Sequence, residues 1–178
     1  VKEVSTYVSS SMALMQDGTV MSWGNVHNSN LGSDPDLSRR YQTVQEIPER
    51  YQTVQEIPDL LNVVSVSMGK DHAFALLNNG TLMAWGENNS GQLGTGNTND
   101  HYTPIATTRL TDVVQIAATA TGSSYGNSYA VTSDGTVWAW GNGVYGANSL
   151  GNGQTTNALS PIRVSGIGGS GSLRINVT

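Results

Sequence analysis

The chain has 178 residues, 37% apolar and only 12% charged, with 21 glycines, a net charge of −5 and no cysteine. That length allows one domain with a sizeable core, and the low charge leaves polarity to Ser, Thr, Asn and Gly, which favour turns and solvated strand faces over helix interiors. Eight basic residues leave no footprint for nucleic acid or an anionic membrane, the lack of cysteine excludes disulfides and thiolate metal sites, and no apolar run approaches a membrane span.

In chain order, "VKEVSTY" at Val1 to Tyr7 reads as a strand. It lacks an initiator Met and the charged and apolar regions of a signal peptide, as expected of a processed chain or a fragment. "ALMQDGTVMSWGN" follows from Ala13, and it has two counterparts: "ALLNNGTLMAWGE" from Ala75 and "AVTSDGTVWAWGN" from Ala130. Each joins two apolar runs through Asp-Gly or Asn-Gly, a strong hairpin signal, with the pair expected at the φ > 0 positions of a two-residue turn. No sustained period of 3.6 appears, so the predicted class is all-β.

Trp23, Trp85 and Trp140 lie 62 and 55 residues apart. Between the first two, "RYQTVQEIPE" at Arg40 to Glu49 is copied at once as "RYQTVQEIPD" at Arg50 to Asp59. Removing one copy turns 62 into about 52, so the true unit has about 50 to 55 residues and the doubled decapeptide is an event inside it. One copy is expected to pair as a strand and the other to loop out. Each Trp-Gly is followed by a long polar loop containing Leu-Gly (Leu31-Gly32, Leu93-Gly94, Leu150-Gly151). Three- to four-stranded antiparallel sheets at this period read as β-propeller blades. The chain divides into blade 1 at about 1–60 (with the duplication at 40–59), blade 2 at 61–110, blade 3 at 111–166 and the start of a further blade at 167–178. Three units make an incomplete arc.

The middle unit, "GKDHAFALLNNGTLMAWGENNSGQLGTGNTNDHYTP", resembles a repeat of the regulator of chromosome condensation family. Gly69, His72, Gly80, Trp85, Gly86, Asn88, Gly91, Gln92, Leu93, Gly94, Gly96 and Pro104 carry the match. The third unit keeps Gly135, Trp140, Gly141, Leu150, Gly151, Gly153 and Pro161, with Asn127 at the histidine position. The first puts Tyr7 and Ser10 where the pattern has Gly and His. The resemblance implies four-stranded blades in a ring, usually of seven. It also implies protein partners, including guanine-nucleotide exchange on a small GTPase through a projecting β-wedge, for which Arg40 to Asp59 is the nearest segment.

Trp23-Gly24, Trp85-Gly86 and Trp140-Gly141 hold constant places in the repeat, which argues for packing between blades. Trp138 stands where the other units have Met21 and Met83 and shares the core face. His72 is the repeat's own histidine and reads as structural. His27, His72 and His101 do not converge with other ligands, so no metal site, cofactor or catalytic constellation is expected. The predicted function is non-enzymatic protein binding through the loops after Trp-Gly, with His27, Asn28, Asn89, Asp100, His101, Tyr102, Tyr145 and Asn148 as candidate contacts. Nucleotide exchange and a bacterial cell-surface or adhesive array are the alternatives. The low charge and Asn/Thr/Gly richness favour a bacterial, extracellular setting, and the chain is expected to be a segment of a longer propeller or a protomer that completes a ring with copies of itself.

Overall fold

The computed structural model describes residues 1–7, 10–24, 54–119, 126–144, 149–166 and 171–177. Among these there are twelve strands and no helix, in three four-stranded antiparallel sheets. Blade 1 holds β1 (Glu3–Tyr7), β2 (Ser10–Leu14), β3 (Val20–Gly24) and β4 (Gln55–Glu56). Blade 2 holds β5 (Val63–Met68), β6 (His72–Leu77), β7 (Leu82–Gly86) and β8 (His101–Ala106). Blade 3 holds β9 (Val113–Ala118), β10 (Asn127–Thr132), β11 (Val137–Gly141) and β12 (Ala158–Arg163). Each strand pairs with its sequence neighbour, so every blade is a meander.

The central hairpins differ from the expected two-residue turn. Gly18, Gly80 and Gly135 have φ of 87°, 79° and 81°, but Asp17, Asn79 and Asp134 do not cross into the left-handed region. The glycine N–H donates three residues back, to the carbonyls of Met15, Leu77 and Thr132 at 3.2, 3.0 and 2.8 Å. This is a three-residue loop, a type I turn closed by a left-handed glycine. The preceding side chain explains the choice: Oδ1 of Asp17, Asn79 and Asp134 accepts the N–H of Thr19, Thr81 and Thr136 at 3.1, 3.0 and 3.0 Å. The recurrent Asp/Asn-Gly-Thr therefore codes a self-bonded Asx turn.

Residues 54–59 of the second decapeptide copy are part of blade 1. Gln55 and Glu56 pair with Ser22 and Met21, and the buried Ile57 donates its N–H to Val20 O at 2.8 Å. Thr107 and Val164 make the same bond, to Leu82 O and Val137 O, in the other blades. The first copy lies outside the described residues. Ile57 then joins the core, so this described part of the predicted wedge segment is built into the sheet.

Two cores lie between the blades. Met12, Leu14, Val20 and Ile57 of blade 1 meet Val66, Met68, Ala73, Ala75 and Trp85 of blade 2. Phe74, Leu76, Leu82, Ala84 and Leu93 of blade 2 meet Ala130 and Trp140 of blade 3, with Ile116, Ala118 and Trp138 packed at the margin. Period 2 produces this directly, because alternate residues of each central strand face opposite neighbours. Trp85 and Trp140 are fully buried at the two junctions, whereas Trp23 is half-buried on the outer face of blade 1. Past blade 3, Leu173 and Ile175 donate to Val164 O and Gly135 O at 2.8 and 2.9 Å. The second bond repeats that of Val113 to Gly80 O at the preceding junction. No helix long and apolar enough to cross a membrane occurs among the described residues.

Candidate partner-binding surface

The loop after Trp85-Gly86 folds around Asn88. The Asn88 side chain donates from Nδ2 to Asn97 O and Asn99 O, both at 3.0 Å, and to Thr95 Oγ1 at 3.2 Å. Its Oδ1 accepts the N–H of Leu93 at 2.9 Å, and its own N–H donates to Asp100 Oδ1 at 2.8 Å. One buried amide thus fixes both limbs of a loop that the sequence presents as polar and featureless. Asn88-Asn89-Ser90 fits a glycosylation pattern, but Asn88 is buried and fully engaged.

The next part of this loop is a latch onto blade 3. Gln92 O accepts Trp140 Nε1–H at 2.8 Å and Ser128 Oγ–H at 2.7 Å, and Leu93 is buried in the second core. Since the Ser128 proton goes to Gln92, the 3.1 Å contact between His72 Nε2 and Ser128 Oγ requires Nε2 to carry the hydrogen. His72 is accordingly a neutral donor linking blade 2 to blade 3. Its ring lies in a slot between glycines: a Cβ at Gly69 or Gly126 would come within 2.6 Å of its Cε1. Burial pushes its pKa down from 6.5 to about 4. A depressed histidine pKa means the unfolded chain binds the proton first, so stability is full above 6.5 and declines as pH falls towards 4. The loss amounts to about 3 kcal/mol at full protonation. His72→Gln is expected to flatten this acid limb, and thermal unfolding at pH 7 and pH 4.5 checks it. An unchanged slope would place the acid sensitivity elsewhere.

Three carboxyl groups stand beside the same loop. Asp71 is buried and paired with Lys70 at 3.6 Å. Glu87 is partly buried, bonded to Asn89 Nδ2, and its own N–H donates to Asp71 O at 2.7 Å. Desolvation, with the nearby Asp71 and Asp100 charges, raises the Glu87 pKa from 4.5 to about 7. Asp100 and Asn89 are exposed.

Blade 3 shows what the fold alone needs here. Asn142 follows Trp140-Gly141 where blade 2 has Glu87, and Gly143 N–H donates to Asn157 Oδ1 at 3.2 Å where Asn88 N–H donates to Asp100. Neutral amides satisfy both places. The negative charge of Glu87 and Asp100 is surplus to the blade's hydrogen bonding, and the Asp100 charge disfavours the ionised form of Glu87.

Of the sequence-predicted contacts, Asn89, Asp100, His101 and Tyr102 gather at this end of blade 2. Tyr102 is half-buried, and His101 has Nε2 buried with no hydrogen-bond partner among the described residues. His27, Asn28, Tyr145 and Asn148 lie outside the described residues. Glu87 and Asp71 were not singled out from the sequence, although aligning Glu87 with Asn142 holds the signal. Among the described residues no cluster of three or more His, Asp or Glu could hold a metal ion.

Models of the regulator of chromosome condensation (RCC1) repeat match residues 63–92 and, in a second form, residues 79–124 and 134–177. The chain belongs to that repeat family. Among curated relatives, the ultraviolet-B receptor UVR8 of Arabidopsis thaliana is 35% identical over 109 residues, covering 61% of this chain and 24% of that protein. The human E3 ubiquitin-protein ligase HERC2 is 30% identical over 150 residues, covering 84% of this chain and 3% of that protein. The chain thus spans a quarter or less of these relatives. Yeast RCC1 (Prp20), solved bound to Kap60, superposes with a TM-score of 0.75 at 19% identity, over 94% of this chain and 37% of that one. Human WBSCR16 gives 0.67 at 23% identity, over 93% and 39%. These two likenesses establish the propeller-type fold.

Proposed function

We propose that this chain is a non-enzymatic, protein-binding propeller module that receives a basic protein segment on the loop end of blade 2, at Glu87, Asn89, Asp100 and Tyr102. The observation that carries the reading is the pair of carboxylates held on a rigid, Asn88-centred loop at positions where blade 3 uses amides. Preorganised charge of one sign, unneeded for folding, suits a complementary partner. Two of the solved or curated relatives are named for acting on or binding proteins: a ubiquitin-protein ligase and yeast RCC1 bound to Kap60. The same yeast protein, Prp20p, is described in a second structure through its binding to Gsp1p and histones.

The test is a titration with a histone dimer as the basic probe, using wild type and the double variant Glu87→Gln/Asp100→Asn. Both amides retain acceptor oxygens, so the loop keeps its bonds, and the variant is not expected to lose thermal stability at pH 8. Affinity is expected to fall roughly tenfold at low salt and less at high salt. A cationic partner favours the Glu87 carboxylate, so wild-type affinity should rise between pH 6 and pH 8, and the variant should lose that rise. Equal affinity of the two proteins at every pH overturns the reading. A parallel nucleotide-release assay with a Gsp1-type GTPase tests the exchange reading, against which stands the placement of Gln55 to Ile57 within blade 1.

A further inference from the structure

The junction between blades 2 and 3 carries side chains that the junction between blades 1 and 2 does without. A four-residue linker enters each junction, residues 59–62 or 109–112, and its first and last members (Asp59 and Asn62, Arg109 and Asp112) have φ between 57° and 62°. The last carbonyl, Asn62 O or Asp112 O, accepts the N–H of Asn78 or Ser133 at 2.9 Å and ties the linker to the central hairpin of the next blade. Both linkers share this left-handed backbone, so it belongs to the fold. The side chains differ. Register equates Trp138 with Met83, which pair with Ala130 and Ala75, and the matching turn bonds equate Thr132 with Leu77. In the linkers Arg109 replaces Asp59, Thr111 replaces Leu61 and Asp112 replaces Asn62, while Leu60 and Leu110 are buried alike.

These exchanges surround a hollow of about 270 Å³, lined by residues 109–112, residues 132–134 and Trp138. Its volume lies just under the roughly 300 Å³ at which small-molecule pockets begin, so it suits a single ring. The Trp138 indole uses its only polar group inside the protein: Nε1–H donates to Thr132 Oγ1 at 3.2 Å, and Thr132 Oγ1–H donates to Asp134 Oδ1 at 2.7 Å. What the ring shows the hollow is apolar. Asp134 is committed too, accepting from Thr136 at both oxygens and pairing with Arg174 at 3.4 Å. Arg109 and Asp112 remain, exposed and without an ion pair among the described residues, with the hydroxyls of Thr111 and Ser133 beside them.

Charges around the hollow nearly balance. Arg109 and Arg174 stand against Asp112 and Asp134, and Arg163 lies over the Trp138 ring at 5.4 Å from its centroid. An anion there meets two carboxylates, and a cation meets the guanidiniums. A neutral ligand bearing hydroxyl groups meets neither penalty, because a hydroxyl accepts from Arg109 and donates to Asp112. Hydroxyls on one side and an apolar C–H surface on the other are the chemistry of a sugar ring. We propose that this hollow binds one neutral monosaccharide unit, with its hydroxyls on Arg109 and Asp112 and its C–H face against Trp138. The site lies at the hairpin-turn end of the junction, away from the loop surface described for a basic partner, and neither reading rests on the other.

Two-dimensional NMR of the isotope-labelled chain tests this with methyl glucoside, methyl galactoside, methyl mannoside and N-acetylglucosamine, beside inorganic phosphate and methylammonium as charged probes. A ligand of about twelve heavy atoms is expected to bind with a Kd on the order of millimolar. At least one sugar should shift the Ser133 amide and Trp138 indole signals saturably and leave the Trp140 indole unmoved, and neither charged probe should do so. Arg109→Asp, Asp112→Asn and Trp138→Met each install the residue of the first junction, so the fold accommodates them, and circular dichroism checks that it does. Arg109→Asp and Trp138→Met should each weaken binding about fivefold or more, read at the Ser133 amide. Asp112→Asn keeps an acceptor and should weaken it less. The absence of a saturable shift with every sugar overturns the proposal, and so does a shift by phosphate or methylammonium in place of a sugar. Sugar binding that Arg109→Asp and Trp138→Met leave unchanged overturns it as well.

Discussion

Trp140→Ala is expected to lower stability by about 3–5 kcal/mol, the range for truncating a large buried aromatic that the surroundings cannot refill. Trp140 is fully buried, meets Phe74 edge-on at 5.7 Å between ring centroids, and closes the second core beside Leu93 and Ala130. Its indole N–H also satisfies Gln92 O, the carbonyl that holds the blade 2 loop against blade 3. Alanine would leave a cavity and remove one of the two donors on that carbonyl. The damage should be local before it is global. Hydrogen exchange in blade 3 and in the Ser90–Gly94 loop should rise more than exchange in β1 to β3, while chemical unfolding gives the total loss. Trp140→Phe recovers part of the packing and none of the hydrogen bond, so an intermediate loss separates the two contributions. A loss below about 1 kcal/mol for the alanine variant would mean that this junction is not a packed core.

Gly86→Ala is expected to cost about 3 kcal/mol or more, although it adds only a methyl group. Gly86 has φ of 108°, and a Cβ there would lie 2.3 Å from Asp71 O, against backbone that cannot swing aside. Gly141 repeats the arrangement at φ of 100°, with Gly126 O at 2.4 Å. The glycine of each Trp-Gly pair is thus the point where β7 or β11 leaves the sheet over the entry of the preceding strand. Gly153→Ala is the control, since φ is 75° there but nothing lies within 4 Å of the added carbon. It should pay only the left-handed backbone penalty, about 1–2 kcal/mol. Thermal and urea unfolding of the two variants side by side distinguishes backbone collision from backbone conformation. Equal losses would show that the close approach to Asp71 is immaterial.

Much of the fold was legible because its determinants are local or periodic. Asp-Gly-Thr and Asn-Gly-Thr specify their hairpins through bonds within three residues, and Trp-Gly marks the end of a core strand in every unit. The turn type was not legible, because the competition is settled by an Asx side chain that binds its own backbone and keeps φ negative at Asp17, Asn79 and Asp134. The stretch "ENNSGQLGTGN" misleads for a different reason. It has the composition of a solvated loop, yet Asn88, Ser90, Gln92 and Leu93 are buried, since the segment folds onto the neighbouring blade. A tertiary latch leaves no periodic trace. For the candidate surface, loop position and side-chain type single out Asn89, Asp100, His101 and Tyr102, whereas Glu87 gains meaning only when set beside Asn142. The doubled decapeptide yielded part of its answer, with the second copy supplying β4 and Ile57.

The proposal that blade 2 presents its loop end to a partner makes a spatial claim, and hydrogen exchange of the chain with and without a saturating histone dimer tests it most directly. Slowed exchange is predicted in peptides covering Glu87 to Tyr102 and the Lys70–His72 turn. The opposite end, at Asn78–Thr81 and Ser133–Thr136, should be unchanged. Protection confined to the hairpin-turn end, or none anywhere under saturating partner, would contradict the account.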